Sequence, residues 1–386
     1  MFVSVLTCTS VTLAALLTLE RGAPRLGLID RPGGHKTHLS PTPVVGGIGI
    51  ALGLWLAWLA SPLIEPGFGL AGGAAALVVL GIVDDRHGVP ARAKLLLQAA
   101  IVAAACLVDG AALRSLGALV PGIEAGIGLL ALPLTVFALT GVINAVNMLD
   151  GLDGLAGKVL LVAFAWFAAC GWLLGDVPAQ ATTLAIAAAI TVFLLFNARL
   201  PGRTRARMFM GDTGSMLLGF LLGWMALDLT QRPDGLPPVA ALWICALPVI
   251  DTAAVASRRM FMRRAPMSAG RDHLHHLLRD AGLSVVATAC TEAALGALFG
   301  FVGVAGWLLG APEWLMMVLF LFTALAYTLG FRVAWTKLAK RRAAESAAAA
   351  AASALTAAAA ASACAAKARP DAAIEQAATV AGEQPA

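Results

Sequence analysis

GLLALPLTVFALTGVINAVNMLDGLDGLAGKVLLVAFAWFAACGWLLG, residues 128–175, places two apolar runs, 128–147 and 156–175, on either side of a short segment rich in Asp, Asn and Gly. A helix needs roughly 20 apolar residues to cross the hydrocarbon core of a bilayer, and each run is that long. The pattern repeats along the chain. Further runs lie near 1–20, 44–64, 67–83, 93–109, 178–196, 213–230, 238–257, 286–309 and 312–334, giving eleven. Of the 386 residues, 60% are hydrophobic and 13% charged, and the mean hydropathy is +0.85. These values exclude an ordinary soluble domain. The alternating segments of about ten residues that a barrel requires are absent. The expected fold is therefore an all-α integral membrane protein of about eleven transmembrane helices.

Charge gives the expected topology. With the first span starting outside, the loops placed inside hold 25 of the 27 Lys and Arg, leaving Arg114 and Arg232 outside. No Lys or Arg precedes Arg21, so the first run lacks the basic start of a signal peptide and reads as an uncleaved span. The net charge of +5 then reflects a basic inner surface and gives no reason to invoke nucleic acid. The six cysteines are scattered, without a paired spacing, and read as small core residues. Residues 1–335 read as the membrane domain. Residues 336–386, Ala-rich from about 343, read as a cytoplasmic tail, disordered or partly helical, with no assigned chemistry.

Ionisable groups beside a membrane span are costly, so places where they gather are candidates for function. Five such stretches fall on the expected inner side. DRPGGHKTHLSPTPVVGG, residues 30–47, offers His35, Lys36 and His38 to an anionic ligand, or is an ordinary basic loop. GIVDDRHG, residues 81–88, sets Asp84 beside Asp85, a repulsive pair unless a cation, a proton or Arg86 compensates it. Helix capping would explain one of these acids better than two. NAVNMLDGLDGLAG, residues 144–157, spaces Asn144, Asn147, Asp150 and Asp153 three apart, which on a helix makes one polar stripe. Such oxygen donors suit Mg²⁺ or Mn²⁺.

NARLPGRTRARMFMGDTGSM, residues 197–216, brings four arginines to Asp212 at the start of an apolar run. There an acid is either a metal ligand bridging phosphates or a helix cap. The fifth stretch ends in RDHLHHLLRD, residues 271–280. A zinc site would need ligand spacings that are missing. With Arg258, Arg259, Arg263, Arg264 and Arg271 nearby, the histidines suit phosphate or sugar oxygens better. On a helix, His273 and His276 would share a face and His275 would point elsewhere.

Carboxylates for a divalent metal, together with Arg and His for anionic oxygens, match diphosphate chemistry on a lipid substrate. The metal motif of the CDP-alcohol phosphotransferases, D-x-x-D-G-x-x-A-R with two later acids, is matched by Asp150, Asp153 and Gly154. It fails at Gly157, Lys158, Gly171 and Gly175. By contrast, GIVDDRHG, ARAKLLLQ, NAVNMLDGLDGLAG, MFMGDTGSM and RDHLHHLL stand in the order seen in the polyprenyl-phosphate N-acetylhexosamine-1-phosphate transferases, a resemblance running from about residue 30 to 285. His273-Leu274-His275-His276 resembles the bacterial undecaprenyl-phosphate GlcNAc-1-phosphate branch. The phospho-MurNAc-pentapeptide transferases tend instead to carry three consecutive histidines after a Pro.

The resemblance implies a UDP-N-acetylhexosamine donor, most simply UDP-GlcNAc, undecaprenyl phosphate as acceptor, Mg²⁺ or Mn²⁺, and release of UMP, starting a lipid-linked envelope glycan. It implies Asn147 and Asp212 as metal ligands and Asp84, Asp85, Asp150, Asp153 and His276 as catalytic residues. Lys36, Lys94, Asn144, Arg271, His273 and His275 are the expected substrate contacts. Asp84 and Asp85 are expected to position the acceptor more than to deprotonate it, because a phosphate monoester is largely dianionic at neutral pH. An aspartate with a pKa of about 3.9 is also a weak base. The resemblance places the protein in the bacterial inner membrane, the charge count sets the N-terminus outside and the C-terminus in the cytoplasm, and a homodimer is compatible with both. The competing expectations are a phospho-MurNAc-pentapeptide transferase and, from another class, a transporter or flippase. A transporter predicts acids near mid-membrane and inverted repeats, whereas these acids cluster toward one face.

Overall fold

In the computed structural model every one of the eleven apolar runs is helical. The structure describes residues 1–31, 40–121, 123, 126–263 and 272–380, with side chains described as far as residue 363. Helices α1 (Phe2–Leu26), α2 (Gly46–Ala60), α3 (Phe68–His87), α4 (Ala91–Asp109), α5 (Ala131–Leu149), α6 (Leu155–Leu173), α7 (Val177–Asn197) and α8 (Gly211–Thr230) come first. They are followed by α9 (Pro238–Ile244), α10 (Ala246–Phe261), α11 (Leu274–Asp280), α12 (Val285–Leu308) and α13 (Glu313–Val380). The protein is thus an all-α, multi-pass membrane protein. Its only paired strands among the described residues are β1 (Ile29–Asp30) and β2 (Thr42–Pro43), which are antiparallel.

Nine helices among the described residues are long and apolar enough to cross a membrane. The other two apolar runs differ from the expected straight spans. Helix α2 has 15 residues and is about 22 Å long at 1.5 Å per residue, short of a hydrocarbon core of about 30 Å. The run at 238–257 is split into α9 and α10, bent by 77°. Pro248 accounts for the break: it has no N–H to offer the carbonyl of Ile244, and its ring crowds that carbonyl.

Helix α8 lies at the centre, with 83% of its apolar window buried against 22% for α1 and α4. A helix apolar on all sides belongs inside a bundle, and α8 packs on α2, α3, α5, α6, α7 and α9. Phe164, Phe167, Phe193 and Phe220 are fully buried in the surrounding core. Two units can be distinguished, Met1–Phe331 and Arg332–Ala386. The second carries an Arg341–Glu345 pair one helical turn apart, at 2.8 Å.

Candidate active site

The start of α8 is set by its neighbours. Gly46 N–H donates to Phe209 O (3.0 Å), Gly47 N–H to Met210 O (2.9 Å) and Phe209 N–H to Pro43 O (2.8 Å), which locks the segment before α8 to the entry of α2. Gly211 turns the chain into the helix at φ +74°, where a side chain would also strike Asp85 and Val44. Asp85, at the far end of α3, then caps α8. Its carboxylate accepts from Asp212 N–H (2.7 Å), Thr213 N–H (3.1 Å) and Thr213 Oγ1 (2.7 Å).

Asp84 serves the adjoining turn. Oδ1 accepts from Val89 N–H (2.6 Å) and Oδ2 pairs with Lys94 Nζ (2.6 Å). The Lys94 ammonium also reaches Asp212 Oδ2 (3.1 Å), so one cation joins α3, α4 and α8. Asn147, near the end of α5, donates to Asp212 Oδ1 and to Ser215 Oγ (2.8 Å). Asp84, Asp85, Lys94, Asn147 and Asp212, separated by up to 128 positions in sequence, therefore meet at one end of the bundle.

The expected helical stripe from Asn144 to Asp153 holds only for its first half. Helix α5 ends at Leu149, Asp150 is its C-cap and Asp153 lies in the following turn, which Gly154 closes at φ +77°. Asn144 turns inward instead, donating to Gln98 Oε1 (2.7 Å) and Thr140 O (2.8 Å). Asp153 holds the loop before α8 by accepting from Arg199 Nε (2.8 Å) and Ala206 N–H (3.2 Å).

Asp150 makes no side-chain hydrogen bond or ion pair among the described residues. Burial pushes its carboxyl up to about 7, and the charges of Asp212, Asp85 and Asp153 push the same way. This surplus of negative charge, with hard oxygen donors on Asp150, Asp212 and, with its amide turned, Asn147, fits a Mg²⁺ or Mn²⁺ ion. Among the described residues no three His, Cys, Asp or Glu side chains converge on one point. Mg²⁺ tolerates that, because it commonly takes one or two carboxylates and fills its shell with water and phosphate.

The histidines reach the same end from α10 and α11. Arg258 Nη1 and Arg259 Nε clasp Asp272 at 2.6 and 3.3 Å. Burial opposes ionisation of Asp272, but these two guanidiniums hold its carboxyl below the usual carboxylate range. Two of the arginines expected for phosphate are thus engaged in closing the α10–α11 connection.

His273 does not share a helical face with His276, contrary to the spacing argument. It is the extended N-cap of α11, so its ring stacks on His275 at 5.7 Å, and His275 in turn lies 4.3 Å from His276. His275 is 1% exposed, and burial lowers its pKa to about 3, helped by His276 and His273, so its ring is neutral. Its Nε2 abuts Gly151, where a Cβ would stand 2.5 Å away. That contact joins the histidine helix to the Asp150–Asp153 loop. Lys36 and Arg271 lie outside the described residues.

Several residues that matter to this site carried little weight in the sequence. Asn197 is 4% exposed. It accepts from Gly154 N–H (2.7 Å) and donates to Met208 O (2.9 Å), tying the Asp150–Asp153 loop to the approach of α8. Gln98 and Ser215 support the two asparagines. Asp251, an acid inside the 238–257 run, anchors His273 at 2.7 Å, and a lone acid in an apolar span was the available signal.

Residues 68–230, the segment from α3 through α8 that carries all of the acids around Asp212, match Glycosyl transferase family 4. An undecaprenyl-phosphate alpha-N-acetylglucosaminyl 1-phosphate transferase of Yersinia pestis is 36% identical over 327 residues, covering 84% of this chain and 89% of the relative. Proteins of the same name from Escherichia coli O157:H7 (34% identical over 335 residues, covering 85% of this chain and 91% of the relative) and Salmonella typhi (35% over 328 residues, 83% and 89%) are similar to a comparable degree. With its membrane helices, its acid cluster and relatives matched over most of both chains, this protein belongs to Glycosyl transferase family 4.

Proposed function

We propose that this protein transfers N-acetylglucosamine 1-phosphate from UDP-GlcNAc to undecaprenyl phosphate, releasing UMP, at the cytoplasmic face of a bacterial inner membrane. The observation that carries this reading is the joining of the Asp212–Lys94–Asn147 cluster to the histidine helix through Gly151 and His275. One end of the bundle thus offers charges for a diphosphate and imidazoles for a sugar. The relatives' printed activity supports the choice of sugar and lipid. Twenty-five of 27 basic residues on one side of the expected topology support the cytoplasmic placement.

In this reaction an oxygen of the lipid phosphate attacks the sugar-proximal phosphorus of the donor. A new P–O bond forms there, the bond from that phosphorus to the bridging oxygen breaks, and the bridging oxygen departs with UMP. Asp212 and Asn147 would hold Mg²⁺ or Mn²⁺, with Asp150 beside them, and the ion would neutralise the diphosphate and its leaving group. Lys94 lends positive charge to an incoming phosphate while Asp84 fixes its ammonium. Asp85 holds the backbone of Asp212 in place. His276, half-buried next to His275, is the imidazole best placed to meet the donor, and Lys36 and Arg271 supply further positive charge to its phosphates.

The test is purified protein incubated with Mg²⁺, undecaprenyl phosphate and, separately, UDP-GlcNAc, UDP-GalNAc and UDP-MurNAc-pentapeptide, with UMP measured in each. UMP from UDP-GlcNAc that EDTA abolishes is the expected result. UMP from the MurNAc donor alone, or from none, overturns it.

A further inference from the structure

Beside the acid cluster lies a second polar group that the transfer chemistry leaves unexplained. Asp251 on α10 is 3% exposed, and its carboxylate is fully engaged. Oδ2 faces His273 Nδ1 at 2.7 Å, while Oδ1 accepts from Leu274 N–H (3.1 Å) and Tyr327 Oη–H (2.8 Å). Tyr327, on α13, is the one tyrosine of the chain. Leu274 is the first residue of α11, so Asp251 grips both the backbone start of the histidine helix and the ring that precedes it.

The pattern of donors fixes the chemistry. A backbone N–H can only donate, so Oδ1 is an acceptor, and Tyr327 adds a second donor to the same oxygen. A carboxylate receiving all three groups requires a proton on His273 Nδ1, which in the neutral ring makes Nε2 the acceptor. Because His273 is stacked on His275, and His275 is wedged against Gly151, the orientation of one ring is passed along the row to His276.

We propose that Asp251, supported by Tyr327, is a positioning residue that fixes the tautomer and placement of His273 and thereby sets the histidine row for the sugar-phosphate donor. This rests on the donor site proposed above. Asp251 does not touch the reacting atoms; it acts through His273, as a carboxylate orients an imidazole in hydrolytic triads.

Asp251→Asn is nearly isosteric and keeps one acceptor for Leu274 N–H, but it presents an NH₂ to His273 and so drives the proton to Nε2. In the full-length protein in detergent, the ¹⁵N shifts of the His273 ring, assigned as the signal lost in His273→Gln, should switch tautomer while the melting temperature holds. The kcat/KM for UDP-GlcNAc should fall about 10- to 100-fold, the cost typical of losing the carboxylate partner of a metal-bound histidine, with KM for undecaprenyl phosphate unchanged. Tyr327→Phe removes one hydrogen bond to a charged carboxylate and should move donor kinetics the same way by about tenfold. Incorporated 3-fluorotyrosine gives a single ¹⁹F signal, which should shift as UDP-GlcNAc is added.

A switched tautomer with unchanged donor kinetics overturns the proposal, as does a ¹⁹F signal that saturating donor leaves in place. So does an equal loss for donor and acceptor in both variants. A wild-type protein that releases no UMP overturns the transferase reading alone, whereas an unchanged His273 tautomer in Asp251→Asn overturns this one.

Discussion

Replacing Asp85 separates two roles that sequence alone leaves merged. In Asp85→Ala three donors lose their acceptor: the N–H of Asp212, the N–H of Thr213 and the hydroxyl of Thr213. Loss of a helix N-cap costs about 0.5–2 kcal/mol. A buried donor left unsatisfied costs about 1–3 kcal/mol, and Thr213 is 1% exposed, so water replaces little of what is removed. Together these give about 2–4 kcal/mol, which for a chain of this size lowers Tm by about 5 °C. Asp85→Asn keeps one acceptor oxygen but turns an NH₂ toward a donor, and should lose about half as much. Turnover should fall in both, because Asp212 and its carboxylate are carried on the backbone that Asp85 holds. Thermal unfolding in detergent alongside UMP release measures the two effects together. If both variants keep the native Tm and yet lose all turnover, Asp85 acts on the substrate and the capping argument is wrong.

Gly151→Ala should drive a methyl into His275 Nε2, and with His275 buried the clash costs about 1–3 kcal/mol. Donor kcat/KM should drop roughly 5- to 150-fold, with acceptor KM unchanged in initial-rate assays. Asn197→Ala removes two buried bonds and should cost about 2–3 kcal/mol in unfolding measurements, because Gly154 N–H and Met208 O are left without partners. Asp150 has a folded pKa of about 7, above its ordinary value of 3.8, so the folded state binds the extra proton between those limits. Stability is therefore full below about pH 4 and declines as pH rises toward 7. Asp150→Asn should flatten that decline, and Mg²⁺ should raise Tm more at pH 8 than at pH 5. A Tm gain independent of pH would count against a cation beside Asp150.

Apolar run length made the helices legible, since crossing a bilayer imposes it on every span. The break at Pro248 was legible in principle, but apolar content alone does not distinguish a straight helix from a bent pair. The motif acids were visible as a set, but their division of labour was not. Asp85 caps a helix that begins 126 residues later, and no local pattern encodes that partner. The polar stripe misled because a three-residue spacing carries a helical meaning only while the helix lasts, and α5 stops at Leu149. His273 misled for the same reason, lying one residue ahead of α11. Asp251 is masked in the sequence by its apolar neighbours, although burying a carboxylate in a membrane run is a cost that calls for partners.

The five motif carboxylates come out unequal, and hydrogen bonding explains why. Asp84, Asp85 and Asp153 each accept from backbone N–H groups, so each closes a turn or a helix end and gives up its oxygens to do so. Among the described residues the Asp212 carboxylate meets side chains, Lys94 and Asn147 with Asp84 beside it, which can rearrange when a phosphate or a metal arrives. Among the described residues the Asp150 carboxylate meets neither backbone nor side chain. A carboxylate that holds backbone cannot move without unfolding its segment, and one without partners pays its desolvation until a cation or proton comes. In the proposed transfer, chemistry at this site would therefore fall to Asp212 and Asp150. The other three acids make the geometry in which those two stand close enough to share a charge, and substituting them should be felt in stability as well as in turnover.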